Sequence, residues 1–165
     1  MRLGKWLSVI GLTAGLAGGP AWAEEGPPSL GQTVLVPSYS HIQVNNRDGK
    51  GDPDMLLLSS MLTVRNPNLK TPVVLKSVAY YSTEGKLLRE FLKAPKTVPP
   101  LGATEFFVEY RDKEGGAGAS FLVTWEAAQP VRSIVAESVN AYFFGTQSLA
   151  FTSQGRVVSE KDAKP

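Results

Sequence analysis

The chain contains no cysteine and a single histidine, His41. Without cysteine there is no disulfide, no thiol nucleophile and no lipid anchor on a modified cysteine. One histidine, with Met55 and Met61 as the methionines beyond the N-terminal region, cannot supply the soft ligand set of a copper carrier. Zinc would need His41 joined by carboxylates from distant parts of the chain, and no spacing brings them together. Helical periodicity is missing too, since no window sustains apolar residues at three- and four-residue steps. Nor is there a block of one charge. The 17 basic residues against 15 acidic ones include Arg2 and Lys5, and without those two the rest of the chain is balanced. DNA, RNA and anionic membranes are therefore poor partners, because each calls for a basic stripe or patch.

What is present begins with an export signal. Arg2 and Lys5 precede an apolar run rich in small residues from Leu7 to Gly19, and Ala21-Trp22-Ala23 supplies a small-x-small cleavage site. The run is too short and too rich in glycine for a comfortable spanning helix, so cleavage after Ala23 is expected, with an uncleaved anchor as the alternative. The mature protein is then periplasmic or secreted, with no membrane span. Residues 24–30 read as a linker, 31–158 as one domain, and 159–165 as a flexible, charged tail.

Within that domain the pattern is β. In Ala103 to Ala128, Phe106, Val108 and Tyr110 alternate with Glu105, Phe107 and Glu109. After a glycine-rich connection, Phe121, Val123 and Trp125 alternate with Leu122, Thr124 and Glu126. Period-two alternation on both sides of such a connection predicts a hairpin, with Trp125 as the largest core side chain. Val73 to Tyr81 and Lys86 to Leu92, joined by Ser-Thr-Glu-Gly, predict a second. Met55 to Val64 reads as one strand. Pro37 marks Thr33 to Val44 as an edge strand or a bend. Strands follow within Val131 to Phe144, Leu149 to Phe151 and Arg156 to Val158. The expected fold is a single antiparallel β-sandwich of immunoglobulin-like architecture, with a small closed β-barrel as the alternative.

Six strings occur in a telling order: GQTVLVPSYSHI, LTVRN, SVAYYSTEGKLLREFL, PLGATEFFVE, GGAGASFLVTW and FTSQGRVV. From Gly31 to Val158 the chain resembles the uncharacterised exported bacterial family known as domain of unknown function 3124. The resemblance implies an exported bacterial protein of unassigned activity. It brings no catalytic or ligand-binding residues with it.

The candidate chemistry is thin. His41 with Ser38 or Ser40 evokes a hydrolase triad, but no G-x-S-x-G elbow is present. Asp48, Asp52 and Asp54 crowd one loop, yet aligning Gly49 with an EF-hand glycine puts Val44 and Met55 where carboxylates are needed. Gly115 to Ala119 looks like a phosphate cradle, but strands flank it where a helix should follow, so it reads as a turn. Aromatics offer more. Tyr80-Tyr81 and Phe143-Phe144 are sequence neighbours on strands, so one of each pair must face away from the core, and Phe107 sits on the polar side of its strand. His41, Tyr81, Phe107, Tyr142 and Phe144 form the candidate interaction or ligand surface, which a partner, a dimer or a terminal segment would cover. With no acid–base pair, metal set or cofactor motif, the expectation is a non-enzymatic binding or interaction module of the cell envelope, without a cofactor. Its partner is an envelope protein or a small ligand. A periplasmic small-ligand or metal-ion carrier, and a hydrolase using His41, remain the alternatives.

Overall fold

The computed structural model describes residues 26–45, 49 and 51–161. The expected signal, Asp48 and the last four residues lie outside them. Every regular element is a strand: β1 Ser29–Pro37, β2 His41–Asn45, β3 Asp54–Leu57, β4 Ser59–Arg65, β5 Val73–Tyr81, β6 Leu87–Glu90, β7 Lys96–Val98, β8 Ala103–Val108, β9 Ser120–Val131, β10 Val135–Phe144, β11 Gln147–Gln154 and β12 Arg156–Glu160. All pairings are antiparallel. A six-stranded sheet runs β12-β1-β9-β5-β6 with β7 also on β5, and a four-stranded sheet runs β11-β10-β4-β8. They form a β-sandwich, and neither closes into the barrel kept as the alternative. β2 and β3 make a separate two-stranded arm.

Alternation determines what each sheet buries. On β9, Phe121, Val123 and Trp125 are buried, as are Leu75, Val78 and Tyr80 on the neighbouring β5. From the other sheet come Leu62 and Val64 of β4 and Phe106 and Val108 of β8. Phe91, in the turn after β6, packs against both Phe106 and Phe121 at centroid distances of 5.5 and 6.0 Å and so ties the layers together.

Several local expectations fail for one reason: alternation specifies a strand's faces but not its sheet. β8 and β9 are not a hairpin, because β8 is the edge of the four-stranded sheet, whereas β9 lies between β1 and β5 in the other. Met55 to Val64 is two strands, broken at buried Leu58, whose amide donates to the carbonyl of Ser40 where the chain turns from the arm into the sandwich. β1 is not an edge strand. It is paired on both sides, but the bend that Pro37 equally implies is present, since β1 ends at Pro37 opposite Ser120 and the chain resumes as β2 at His41. Tyr110 lies beyond the end of β8 and is exposed rather than in the core. The β5–β6 hairpin is as expected. Pairing at the C-terminus continues past Val158, with Ser159 opposite Thr33 and Lys161 donating its amide to Gly31.

Trp125 is fully buried, and its indole N–H has no protein partner among the described residues. Trp125→Ala should lower unfolding stability by about 3–5 kcal/mol in urea titration. Trp125→Phe, which removes the same unpaired donor but keeps most of the aromatic area, should cost clearly less. Equal losses would mean that the aromatic area at this position contributes nothing to the core.

Candidate functional site

One end of the sandwich holds most of the sequence candidates, and its interior is polar. Leaving β1, Ser38 and Ser40 are both buried. The Ser38 hydroxyl donates to Ser60 Oγ at 2.8 Å, and Ser40 Oγ shares a hydrogen bond with Tyr80 Oη at 3.1 Å. The amide of Tyr39 donates to Asn140 Oδ1 at 3.1 Å, and Asn140 in turn donates to Ser138 Oγ. Neither serine is bonded to His41 or faces solvent, which is unlike a nucleophile. His41 opens β2 opposite Leu57, and its Nδ1 is buried without a partner. Among the described residues, Asp52 and Asp54 included, no three His, Asp or Glu side chains group as a metal site would need.

The glycine-rich stretch after β8 packs onto the same seam. Gly115 is buried, and a Cβ there would collide with Tyr80 Oη and Ser40 Oγ. Its carbonyl accepts from the amide and the hydroxyl of Thr83, and that hydroxyl oxygen accepts from the amide of Gly118. Its donors and acceptors are thus turned inward, onto the β5–β6 turn. It is a tight connection, as its flanking strands imply.

The aromatic cluster lies just outside this seam. β10 pairs with β4 only as far as Ala141 opposite Ser59, but with β11 as far as Phe144 opposite Gln147. Residues 142–149 therefore form a two-stranded overhang with both faces open. Gly145, at φ 58°, takes the first of two turn positions, where the twist-matched hairpin turns require positive φ. Alternation normally hides one of two neighbouring aromatics. Beyond the last rung of β4 it hides neither, and Phe143 and Phe144 are 75% and 73% exposed. Tyr142 and Phe144 stack at 6.4 Å on one face. With Tyr110, Ser59, Ala141 and Phe143 they line a cavity of about 210 Å³. Tyr110 is itself 45% exposed, with the Arg111 guanidinium 5.4 Å from its ring.

Phe107 joins this region through register. It lies opposite Met61, and Met61 opposite Val139, two residue pairs from Ser59–Ala141. Phe107 is 57% exposed on the outer face of the four-stranded sheet. Tyr81 belongs elsewhere, at the end of β5 on the outside of the other sheet. Of the five sequence candidates, Tyr142 and Phe144 are brought together; Phe107 lies on the outer face of the same sheet, the face of Phe143, Tyr81 is on the other sheet, and His41 is outside the cavity lining. Phe143 and Tyr110 were missed as surface residues. The signal for Phe143 was the run Tyr142-Phe143-Phe144 leading straight into Gly145, which is a hairpin tip aromatic on both faces.

The family model described as "Protein of unknown function (DUF3124)" matches residues 31–158. The chain belongs to this family. The match spans β1 to β12 and includes both the aromatic overhang and the buried seam of this DUF3124 domain. A solved structure titled "Crystal Structure of Thermotoga maritima 1070" is similar at a TM-score of 0.43 and 11% identity, over 79% of this chain and 97% of that one. A likeness of that degree carries no argument. Comparison with curated proteins found no match.

The seam makes the domain sensitive to alkali. Burial raises the pKa of the Tyr80 hydroxyl, outweighing the opposing hydrogen bond from Ser40. The neutral phenol is therefore favoured by folding. Its contribution is intact below the unfolded-state value of about 10 and is lost as pH rises through the higher folded-state value. Urea midpoints measured upward from pH 9 should fall more steeply for the native DUF3124 domain than for Tyr80→Phe. Parallel curves would remove Tyr80 as the source.

Proposed function

We propose that this chain is an exported, non-enzymatic interaction module of the bacterial cell envelope. It engages a protein partner through the aromatic overhang of β10–β11 and the adjoining outer face at Phe107. The observation that carries this reading is the paired exposure of Phe143 and Phe144 on a hairpin that runs past its own sheet. A water-facing aromatic patch is unfavourable unless something covers it, and aromatic anchors are enriched in the centres of protein interfaces. Export is supported by the charged start, apolar run and Ala21-Trp22-Ala23 site.

The small-ligand carrier fits less well. The aromatic cavity, about 210 Å³, is below the roughly 300–1,000 Å³ of typical ligand pockets. Depressions of about 460 and 490 Å³ elsewhere lack its aromatics, the first lined by Thr63, Lys96, Thr104 and Glu105 and the second by prolines, Leu69 and polar residues around Asn68 and Arg132. The hydrolase fits less well still, because Ser38 and Ser40 are already committed inside the sandwich.

The test is capture of envelope proteins on the immobilised mature chain, compared with Phe143→Ser/Phe144→Ser. Both side chains are exposed, so the double variant should melt within a few degrees of the native protein. It should lose a partner that the native chain retains. Identical capture by both, or a melting shift of the native chain with sugars, amino acids or divalent cations, would count against the proposal.

A further inference from the structure

We infer that β11 is a self-pairing edge, through which two copies of this chain join their four-stranded sheets into one eight-stranded sheet. An open edge presents unpaired N–H and C=O groups, and soluble proteins usually blunt it with charge, proline or brevity. The edges of the two main sheets follow that rule except at β11. β12 carries Arg156 and Glu160, β6 carries Arg89 and Glu90, β7 carries Lys96, and β8 carries Glu105. β11, Gln147–Gln154, is eight residues long with no charge and no proline, and no described strand is hydrogen-bonded to its far side.

The occupant is argued from self-complementarity. A two-fold axis normal to the sheet makes the paired strands antiparallel and keeps outer face with outer face, so each residue must meet one of its own parity. With Ala150 on the axis, Leu149 meets the partner's Phe151, Ser148 meets the partner's Thr152, and Gln147 meets the partner's Ser153. Apolar side chains then face apolar ones on the inner face, and small polar ones pair on the outer face. The other open edges would set like charges close together in the same arrangement, Glu105 against its copy on β8 for instance. A separate consequence ties the edge to the outer face. The row Phe107-Met61-Val139-Thr152 continues into the partner's Ser148 and then the partner's Phe143, so the two outer faces become one continuous surface.

Sedimentation velocity of the mature chain should show a monomer–dimer equilibrium from the micromolar range upward. Ala150 is exposed, so Ala150→Lys should fold normally by circular dichroism while placing two ammonium groups across the axis. Dimer dissociation should rise at least about tenfold. Because the chain has no cysteine, Ala150→Cys introduces its sole thiol, at a position whose Cα lies within disulfide range of its copy. Mild oxidation should give a covalent dimer far faster than for Val158→Cys on the charged β12 edge. A strictly monomeric native chain, a dimer unaffected by Ala150→Lys, or equal cross-linking of the two cysteine variants would each overturn the inference. So would a dimer lost in Phe143→Ser/Phe144→Ser but kept in Ala150→Lys, since that places the contact on the hairpin tip.

Discussion

The passage of residues 37–41 between two apolar sheets is the constraint on which the upper half of the molecule depends. A buried amide or hydroxyl without a partner costs several kcal/mol, so each one here must be met. The Ser38 and Ser40 amides donate to carbonyls of Ala119 and Gly116, their hydroxyls reach Ser60 and Tyr80, and the Tyr39 amide reaches Asn140. These partners come from β4, β5, β10 and the glycine-rich connection, that is, from both sheets. Shifting one sheet on the other would orphan several groups at once. The seam therefore holds the relative placement of the sheets more strictly than apolar packing could. The arm, the glycine loop and the β4 end at Ser59 all hang from it.

Local chemistry was legible in the sequence, and long-range placement was not. Alternation around Trp125 correctly gave a buried face, and the Ser-Thr-Glu-Gly turn correctly joined β5 to β6, because both are properties of a few adjacent residues. Family membership was legible from six short strings in order. The assignment of β8 and β9 to different sheets was not, since the eleven residues between Val108 and Ser120 allow a hairpin or a crossing equally well. Pro37 correctly marked a break, where β1 ends and β2 follows at His41, and misled only about edge position, because proline at the end of a strand does not interrupt a ladder further back. The aromatic site was half legible. Parity showed that one of Phe143 and Phe144 must be outward, but only the point at which β4 stops shows that both are.

The candidate site is thus a product of unequal strand lengths. Where β10 and β11 outrun β4, side chains that would be core become surface, and they are held by a rigid sheet rather than by a wandering loop. Such presentation spares a binding surface much of the ordering cost of association. It also explains why the neighbouring Tyr110, at the start of the crossing between sheets, can reach the same cavity from β8.

The way β1 is held carries a consequence for how this chain folds. The first strand of the domain is hydrogen-bonded on one side to β9 and on the other to β12, with Gln32 opposite Glu160. Its earliest residues therefore find their final neighbours only when nearly the whole polypeptide has been made. Topologies dominated by such distant pairings close slowly, because the entropy of the large loop must be met before the contacts form. For a chain proposed to be threaded across a membrane in extended form, that delay is an advantage. If the chain is exported as proposed, the outer edge of β1 gains its β12 partner only after the C-terminal strand has followed the rest through.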